Sequence, residues 1–260
     1  MNLWIADIDG VFTNLLARPN REAIFLSAQI GSRDFFAFVT GRAARWLEQN
    51  ILPTLEEAYQ QHPQLFPVIC AEYGGVILRY YKKVGWRKEF NTFFPPLNHL
   101  RQKVLSLISD IPGVFYDLDK EIMISIEAQH SMRDTQYDVV EKGLKQTERI
   151  LKELAANSNT LEYQRTTYAC DLVPRGLNKA YTARFVLDNI GFTPHHVCLL
   201  GDAPSDLLLA DVMIERRIPY TIYYVGDPST IARQKEKYSF QLPKDGRYDQ
   251  GTVEILQSFL

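Results

Sequence analysis

An apolar run, Leu3-Trp4-Ile5-Ala6, ends on two carboxylates one residue apart, Asp7 and Asp9, with Gly10 directly after them. A run this short and this apolar reads as a buried strand. Side chains on a strand alternate, so residues i and i+2 share a side, and two acids are forced together where the strand emerges. Like charges that close repel each other unless a cation or a proton-transfer role offsets the cost. Gly10 lets the backbone turn sharply at that point. The same residues also suit an ordinary turn, with Asp as an Asx-turn former and Gly at positive φ. The rest of the chain has to choose between a charged site and a loop.

Four more apolar runs look like buried parallel strands, at 35–39, 68–71, 197–200 and 220–225. Helical patterns cover 43–50, 178–190, 205–213 and 252–260, with Asn178 as an N-cap and Gly191 just past the end of its helix. Strands that alternate with helices imply a parallel sheet covered on both faces. The middle of the chain reads differently. Strands are expected at 76–81, 114–118, 122–127, 161–165 and 168–173, with helices at 97–109 and 134–156. Ile122, Ile124 and Ile126 alternate, which suits a sheet with one wet face. The expected fold is therefore α/β: a Rossmann-like, doubly wound core from 1–78 and 174–260, with an α+β unit inserted at 79–173.

Composition narrows the function classes. Apolar residues make up 46% of the 260, enough for a real core and too many for disorder. A net charge of −2 offers no basic field for nucleic acid or an anionic membrane. No apolar run approaches the ~18 residues of a membrane span. Residues 3–6 form a strand that leads into the acids, so the N-terminus does not read as a signal peptide. Cys70, Cys170 and Cys198 are odd in number and far apart, and they read as reduced structural thiols of a cytoplasmic protein.

Four further signals fall at strand ends or helix starts, where open α/β sheets place ligands. Thr40-Gly41-Arg42 follows the run at 35–39. A hydroxyl and backbone N–H groups that open a helix can cradle phosphate oxygens, and a plain Thr-Gly turn gives the same pattern. Lys179 stands in the first turn of a helix, where the partial positive charge favours acids. Either a nearby anion reconciles it or it is an exposed surface lysine. Gly201-Asp202-Ala203-Pro204-Ser205-Asp206 follows the run at 197–200, and two acids four apart at such a junction can face one hard cation. Asp206 alternatively caps the next helix. Glu72-Tyr73-Gly74-Gly75 reads as a tight structural turn, a hinge into the inserted unit.

The order of these motifs (Asp-x-Asp-Gly, Thr-Gly-Arg, a cap-sized insertion, Lys, then Gly-Asp-x-x-x-Asp about twenty residues on) resembles the haloacid dehalogenase superfamily of phosphatases and phosphomutases. The resemblance covers the whole chain. The position of the insertion is similar to the larger cap of the Cof-like, sucrose-phosphatase, mannosyl-3-phosphoglycerate-phosphatase and phosphomannomutase branch. The stretch from Asp171 through Pro174, Gly176 and Lys179 looks like that branch's return from cap to core. Glu72-Tyr73-Gly74-Gly75 resembles its Glu-Asn-Gly turn, with Tyr73 in place of Asn. Val11-Phe12-Thr13 stands where Thr-Leu is commoner.

The resemblance implies a Mg2+-dependent phosphoric monoester hydrolase acting on a small phosphorylated metabolite, a sugar phosphate or phosphorylated sugar conjugate. Asp7 would be the nucleophile, forming an aspartyl-phosphate, and Asp9 the general acid and then base. Magnesium would bind Asp7, the backbone carbonyl of Asp9, Asp202, and Asp206 directly or through water. Gly10, Thr40, Gly41, Arg42 and Lys179 would hold the phosphoryl group. The cap would exclude water and set the substrate, with His130, Arg133 and Arg175 as polar candidates. Phe93-Phe94-Pro95-Pro96 would pack a cap helix, and Lys82, Lys83, Lys235 and Lys237 would be solvated. The alternatives are a phosphomutase and a non-catalytic ligand-binding relative. The expected assembly is a monomer or small homo-oligomer without nucleic acid or membrane partners.

Overall fold

The computed structural model describes residues 1–61, 66–132, 135–234 and 236–260, with His130 described by its backbone only. Arg133 and Lys235 lie outside the described residues, as does the side chain of His130.

The chain opens with β1 (Leu3–Asp7), α1 (Arg21–Gly31), β2 (Phe35–Val39), α2 (Ala44–Asn50), α3 (Leu52–Gln61) and β3 (Val68–Ala71). β4 (Val76–Tyr81) and β5 (Gly85–Phe90) form a hairpin, followed by α4 (Asn98–Ile108), β6 (Val114–Tyr116), β7 (Ile124–Ala128) and α5 (Tyr137–Ala156). Then come β8 (Leu161–Arg165), β9 (Ala169–Pro174), α6 (Lys179–Asn189), β10 (Val197–Gly201), α7 (Leu207–Arg216), β11 (Tyr220–Tyr224), β12 (Phe240–Gln241) and α8 (Tyr248–Gln257). Every strand expected from sequence is present within a residue or two. The elements α1, α3, β5 and β12 were not anticipated. α1 carried a signal: Asn20 caps it by accepting from the Ala23 N–H at 3.1 Å, and Ala23, Ile24, Ser27 and Ala28 form its buried stripe.

Chain contacts divide the protein into two compact units, residues 1–89 with 178–260, and residues 90–177. The first is built on an eight-stranded sheet in the order β12-β11-β10-β1-β2-β3-β4-β5. The six strands from β12 to β3 run parallel, and β4 turns back antiparallel to β3, with Val68 opposite Arg79 and Ala71 opposite Val76. This corrects the expected boundary at 78/79. The β4–β5 hairpin extends the core sheet and pairs the edge that β3 would otherwise leave open, so the crossing comes eleven residues later. The hinge reading of Glu72-Tyr73-Gly74-Gly75 is corrected with it, because that turn leads into β4. The return falls at 177/178, where 173/174 was expected.

β1 is buried over its whole length. Leu3 and Ile5 face a cluster with Val186, Leu199, Leu209 and Met213, and Trp4 stacks on Phe36 and Tyr223 at centroid distances of 5.3 and 5.6 Å. Alternation along the strand thus fills two cores, one on each face of the sheet.

The second unit has a four-stranded antiparallel sheet, β6-β7-β9-β8. α5 buries Val140, Leu144, Thr147 and Leu151, one stripe at helical spacing, against Ile124, Ile126 and Leu172. The other face of β7 is drier than its alternation predicts. Ser125 and, just before the strand, Met123 are buried, and Ser125 donates to the buried Asp171 carboxylate at 2.5 Å. Burial pushes Asp171 up to about 6 against the pull of the Lys120 ammonium. Cys70, Cys170 and Cys198 are free and buried. Among the described residues, no helix is long and apolar enough to cross a membrane.

Candidate active site

β1 lies between β10 and β2, and the chain leaves it toward β2 and β3 before returning to build β10 and β11 on the other side. That reversal of strand order makes the carboxyl ends of β1 and β10 a topological switch point, where open α/β sheets place their ligands. The residues singled out from the sequence around β1, β2, α6 and β10 meet there.

Asp7 closes β1 and is 6% exposed. Its Oδ1 accepts from the Ile8 N–H at 2.8 Å and its Oδ2 from Lys179 Nζ at 2.6 Å. The chain then turns about the Ile8 carbonyl, which accepts from Val11, Phe12 and Thr13. Gly10 sits at φ +69, and a Cβ there would stand 2.1 Å from Asp202 Oδ2. Only glycine supplies both the left-handed backbone and the missing atom. Residue 10 is therefore the seat of a carboxylate contributed from the other end of the chain.

Lys179 is the first residue of α6, buried to 6% exposure, with Asn178 capping the helix by accepting from the Tyr181 N–H at 3.0 Å. Its ammonium also donates to Asp206 Oδ1. These two acids answer the electrostatic oddity of a lysine at a helix N-terminus. Burial alone would lower its pKa, and Asp206 and Asp7 together outweigh that and raise it well above the usual lysine value. Both Asp206 oxygens are engaged: its Oδ2 accepts from the Asp202 and Ala203 N–H groups at 3.0 and 2.9 Å. It holds Lys179 with one oxygen and shapes the Asp202 loop with the other.

Ligand oxygens of Asp7, Asp202 and Asp206 lie within 4.8 Å of one another. Three carboxylates around one ammonium leave two negative charges uncompensated. Burial, then the neighbouring Asp206 and Asp9, push Asp7 up to about 7 against the pull of Lys179. Burial, then Asp206 and Asp7, push Asp202 up to about 8. An all-oxygen donor set with a net charge of −2 fits a hard divalent cation, which would take the place of the protons the acids otherwise hold.

Asp9 points elsewhere. Its carboxylate accepts from Arg42 Nε at 2.9 and 3.1 Å, and the Arg42 terminal nitrogen lies 2.8 Å from Oδ1. Arg42 in turn lies over the Trp46 ring at 4.7 Å. Thr40 is fully buried. Its hydroxyl accepts from the Arg42 N–H at 3.0 Å and donates to Asp9 Oδ2 at 3.4 Å. Alternation along β1 foretold the nearness of Asp7 and Asp9 but not this division of partners, in which Asp7 takes Lys179 and Asp9 takes Arg42. Arg175 belongs to the second unit and braces it, donating to the Asn159 carbonyl at 2.8 Å. Tyr73, read from the sequence as part of a structural turn, lies beside the Thr40-Gly41-Arg42 loop. A Cβ on Gly41 would stand 2.8 Å from its hydroxyl, so the ring lies against that loop.

No family model matches the chain, and no curated protein matches it. Solved structures do. A haloacid dehalogenase-like hydrolase from Bacteroides thetaiotaomicron superposes with a TM-score of 0.66 at 16% identity, covering 100% of this chain and 99% of that one. The C-terminal domain of Candida albicans trehalose-6-phosphate phosphatase gives 0.67 at 14% identity, covering 100% and 93%. Sucrose-phosphatase from Synechocystis, solved with sucrose and phosphate, gives 0.57 at 16% identity, covering 99% and 97%. Likeness at these identities speaks to architecture. Taken with the strand order and the inserted unit, it establishes that this chain has the haloacid dehalogenase-like fold over its whole length.

Proposed function

We propose that the protein is a Mg2+-dependent phosphatase that hydrolyses a small sugar phosphate, or a phosphorylated sugar conjugate, through an aspartyl-phosphate. The observation that carries the reading is the charge count around Asp7: three carboxylates and one ammonium, gathered from residues 7, 179, 202 and 206, with a net charge of −2 once all three acids are ionised. Trehalose-6-phosphate phosphatase and sucrose-phosphatase among the structural neighbours support the substrate class.

Asp7 and Asp202 would hold the magnesium together with the Asp9 carbonyl, and Asp206 would act through a water and through the loop it shapes. When bound, the ion would offset charge on the phosphoryl oxygens, the main requirement of phosphoryl transfer beyond positioning. An Asp7 oxygen attacks phosphorus as the bond to the ester oxygen breaks, and Asp9 gives its proton to the departing alkoxide. Water then attacks the phosphorus of the aspartyl-phosphate and gives its proton to Asp9, releasing phosphate and restoring Asp7. Lys179, buried between Asp7 and Asp206, neutralises part of the charge around the nucleophile. Arg42 now engages Asp9. For Asp9 to reach the leaving oxygen, the guanidinium has to slide off it, and Trp46 keeps the arginine at the site as it does so.

A screen of phosphorylated metabolites tests the reading. Phosphate release from a sugar phosphate with magnesium, its loss with a chelator, and its abolition by Asp7→Asn are expected. Absence of release from every sugar phosphate, or release that survives Asp7→Asn, overturns it.

A further inference from the structure

The turn after β3 holds three consecutive residues in left-handed backbone, Glu72 at φ 47, Tyr73 at φ 55 and Gly74 at φ 87. Residues with a side chain avoid this region, and runs of them persist only where the surroundings over-determine the conformation, most often at functional sites. The surroundings here do so. The Glu72 N–H donates to the Arg42 carbonyl at 3.1 Å and the Tyr73 N–H to the Thr40 carbonyl at 2.9 Å. The Thr182 hydroxyl donates to the Tyr73 carbonyl at 2.5 Å. Tyr73 is thus bound by its backbone to the Thr40 loop on one side and, on the other, to α6, the helix that Lys179 opens.

This tether fixes the ring as well. A Cβ on Gly41 would lie 2.8 Å from the Tyr73 hydroxyl oxygen and 2.9 Å from Cζ, so the end of the phenol rests on the backbone of residue 41, where only hydrogen fits. Lys179 lies within electrostatic reach of the phenol. Tyr73 is half-buried, and the packing of its ring on residue 41 holds the hydroxyl in place.

We propose that the Tyr73 hydroxyl is a ligand of the phosphoryl group, donating a hydrogen bond to an oxygen held beside Thr40-Gly41 and Lys179. The inference rests on the phosphatase reading and adds to it a residue that the motif order does not supply. A phenol suits this place. It adds a donor without adding charge, and its rigid ring loses little freedom when the ligand arrives. The strained turn and the bare Gly41 then have one explanation, since both serve to bring the hydroxyl to the phosphoryl loop.

The test compares the full-length wild type with Tyr73→Phe, which keeps the ring and removes only the oxygen. Inorganic phosphate is the probe, titrated calorimetrically in the presence of magnesium, alongside turnover of whichever phosphomonoester the screen yields. Loss of one hydrogen bond to a charged group predicts about tenfold weaker phosphate binding and about tenfold lower kcat/KM. The affinity for magnesium alone should not change, whereas a residue that merely shapes the site would alter it as well. Gly41→Ala, whose methyl displaces the ring, should weaken phosphate binding similarly, and the double variant should be no worse than either single one. Phosphate binding by Tyr73→Phe within twofold of wild type overturns the proposal, as does a wild type that binds no phosphate. A wild type that binds phosphate but hydrolyses no phosphomonoester defeats the activity reading alone, and the phosphate titration still decides the role of Tyr73.

Discussion

Asp7→Asn, which should abolish turnover, should also stabilise the magnesium-free protein at neutral and alkaline pH. Burial holds the native Asp7 at about 7 against an ordinary carboxyl value of 3.8. The folded protein therefore binds a proton that the unfolded chain has already released between those values. Stability from this group is complete below about pH 4, declines as pH rises toward about 7, and is level above. Three pKa units at 1.36 kcal/mol each put the whole effect at about 4 kcal/mol, and linkage places more than half of it in the span from about pH 5 to pH 8. Asp202, pushed up to about 8, titrates against the same charges, so the two form one coupled transition and the figure is not doubled. The assay is urea unfolding of wild type and Asp7→Asn across that span, in chelator and in saturating magnesium. In chelator the wild type should lose a few kcal/mol relative to the variant as pH rises. Magnesium should reverse the trend, because it replaces the protons and binds better as the acids ionise. Coincident pH slopes for the two proteins, or a wild-type slope indifferent to magnesium, would refute the charge argument on which the site rests.

Gly10→Ala should cost about 1–2 kcal/mol in backbone strain, and, by setting a methyl 2.1 Å from Asp202 Oδ2, should weaken magnesium binding at least tenfold by calorimetric titration; unchanged affinity would mean that Asp202 is not a ligand. Asp206→Ala strips Lys179 of one partner and the Asp202 and Ala203 N–H groups of theirs. It should lower unfolding stability by about 3 kcal/mol, and a loss below about 1 kcal/mol would show that water substitutes for the carboxylate.

The sequence determined the parallel core, because each of its central strands is a short unbroken apolar run and such runs, alternating with helical patterns, fit a sheet covered on both faces. It also determined where to look, because polar residues at the ends of those runs had to gather at one edge of the sheet. Lys179 was legible for a related reason: a cation at a helix N-terminus calls for an anion, and Asp7 and Asp206 supplied two. Even Gly10 announced a turn, though not the carboxylate that fills the space beside it. Tertiary structure decided how the charges pair. Whether Asp9 faces the cation site or Arg42, and whether Asp206 spends its oxygens on a metal or on backbone N–H groups, depends on distances between segments far apart in the chain, and local spacing carries no information about those. The same holds for the edge of the core. β5 (Gly-Trp-Arg-Lys-Glu-Phe) is mostly exposed and charged, so it lacks the apolar signature of a buried strand, and only its pairing beside β4 makes it part of the sheet. Tyr73 reads as a turn residue for the same reason, since its significance lies in the loop against which its ring is pressed.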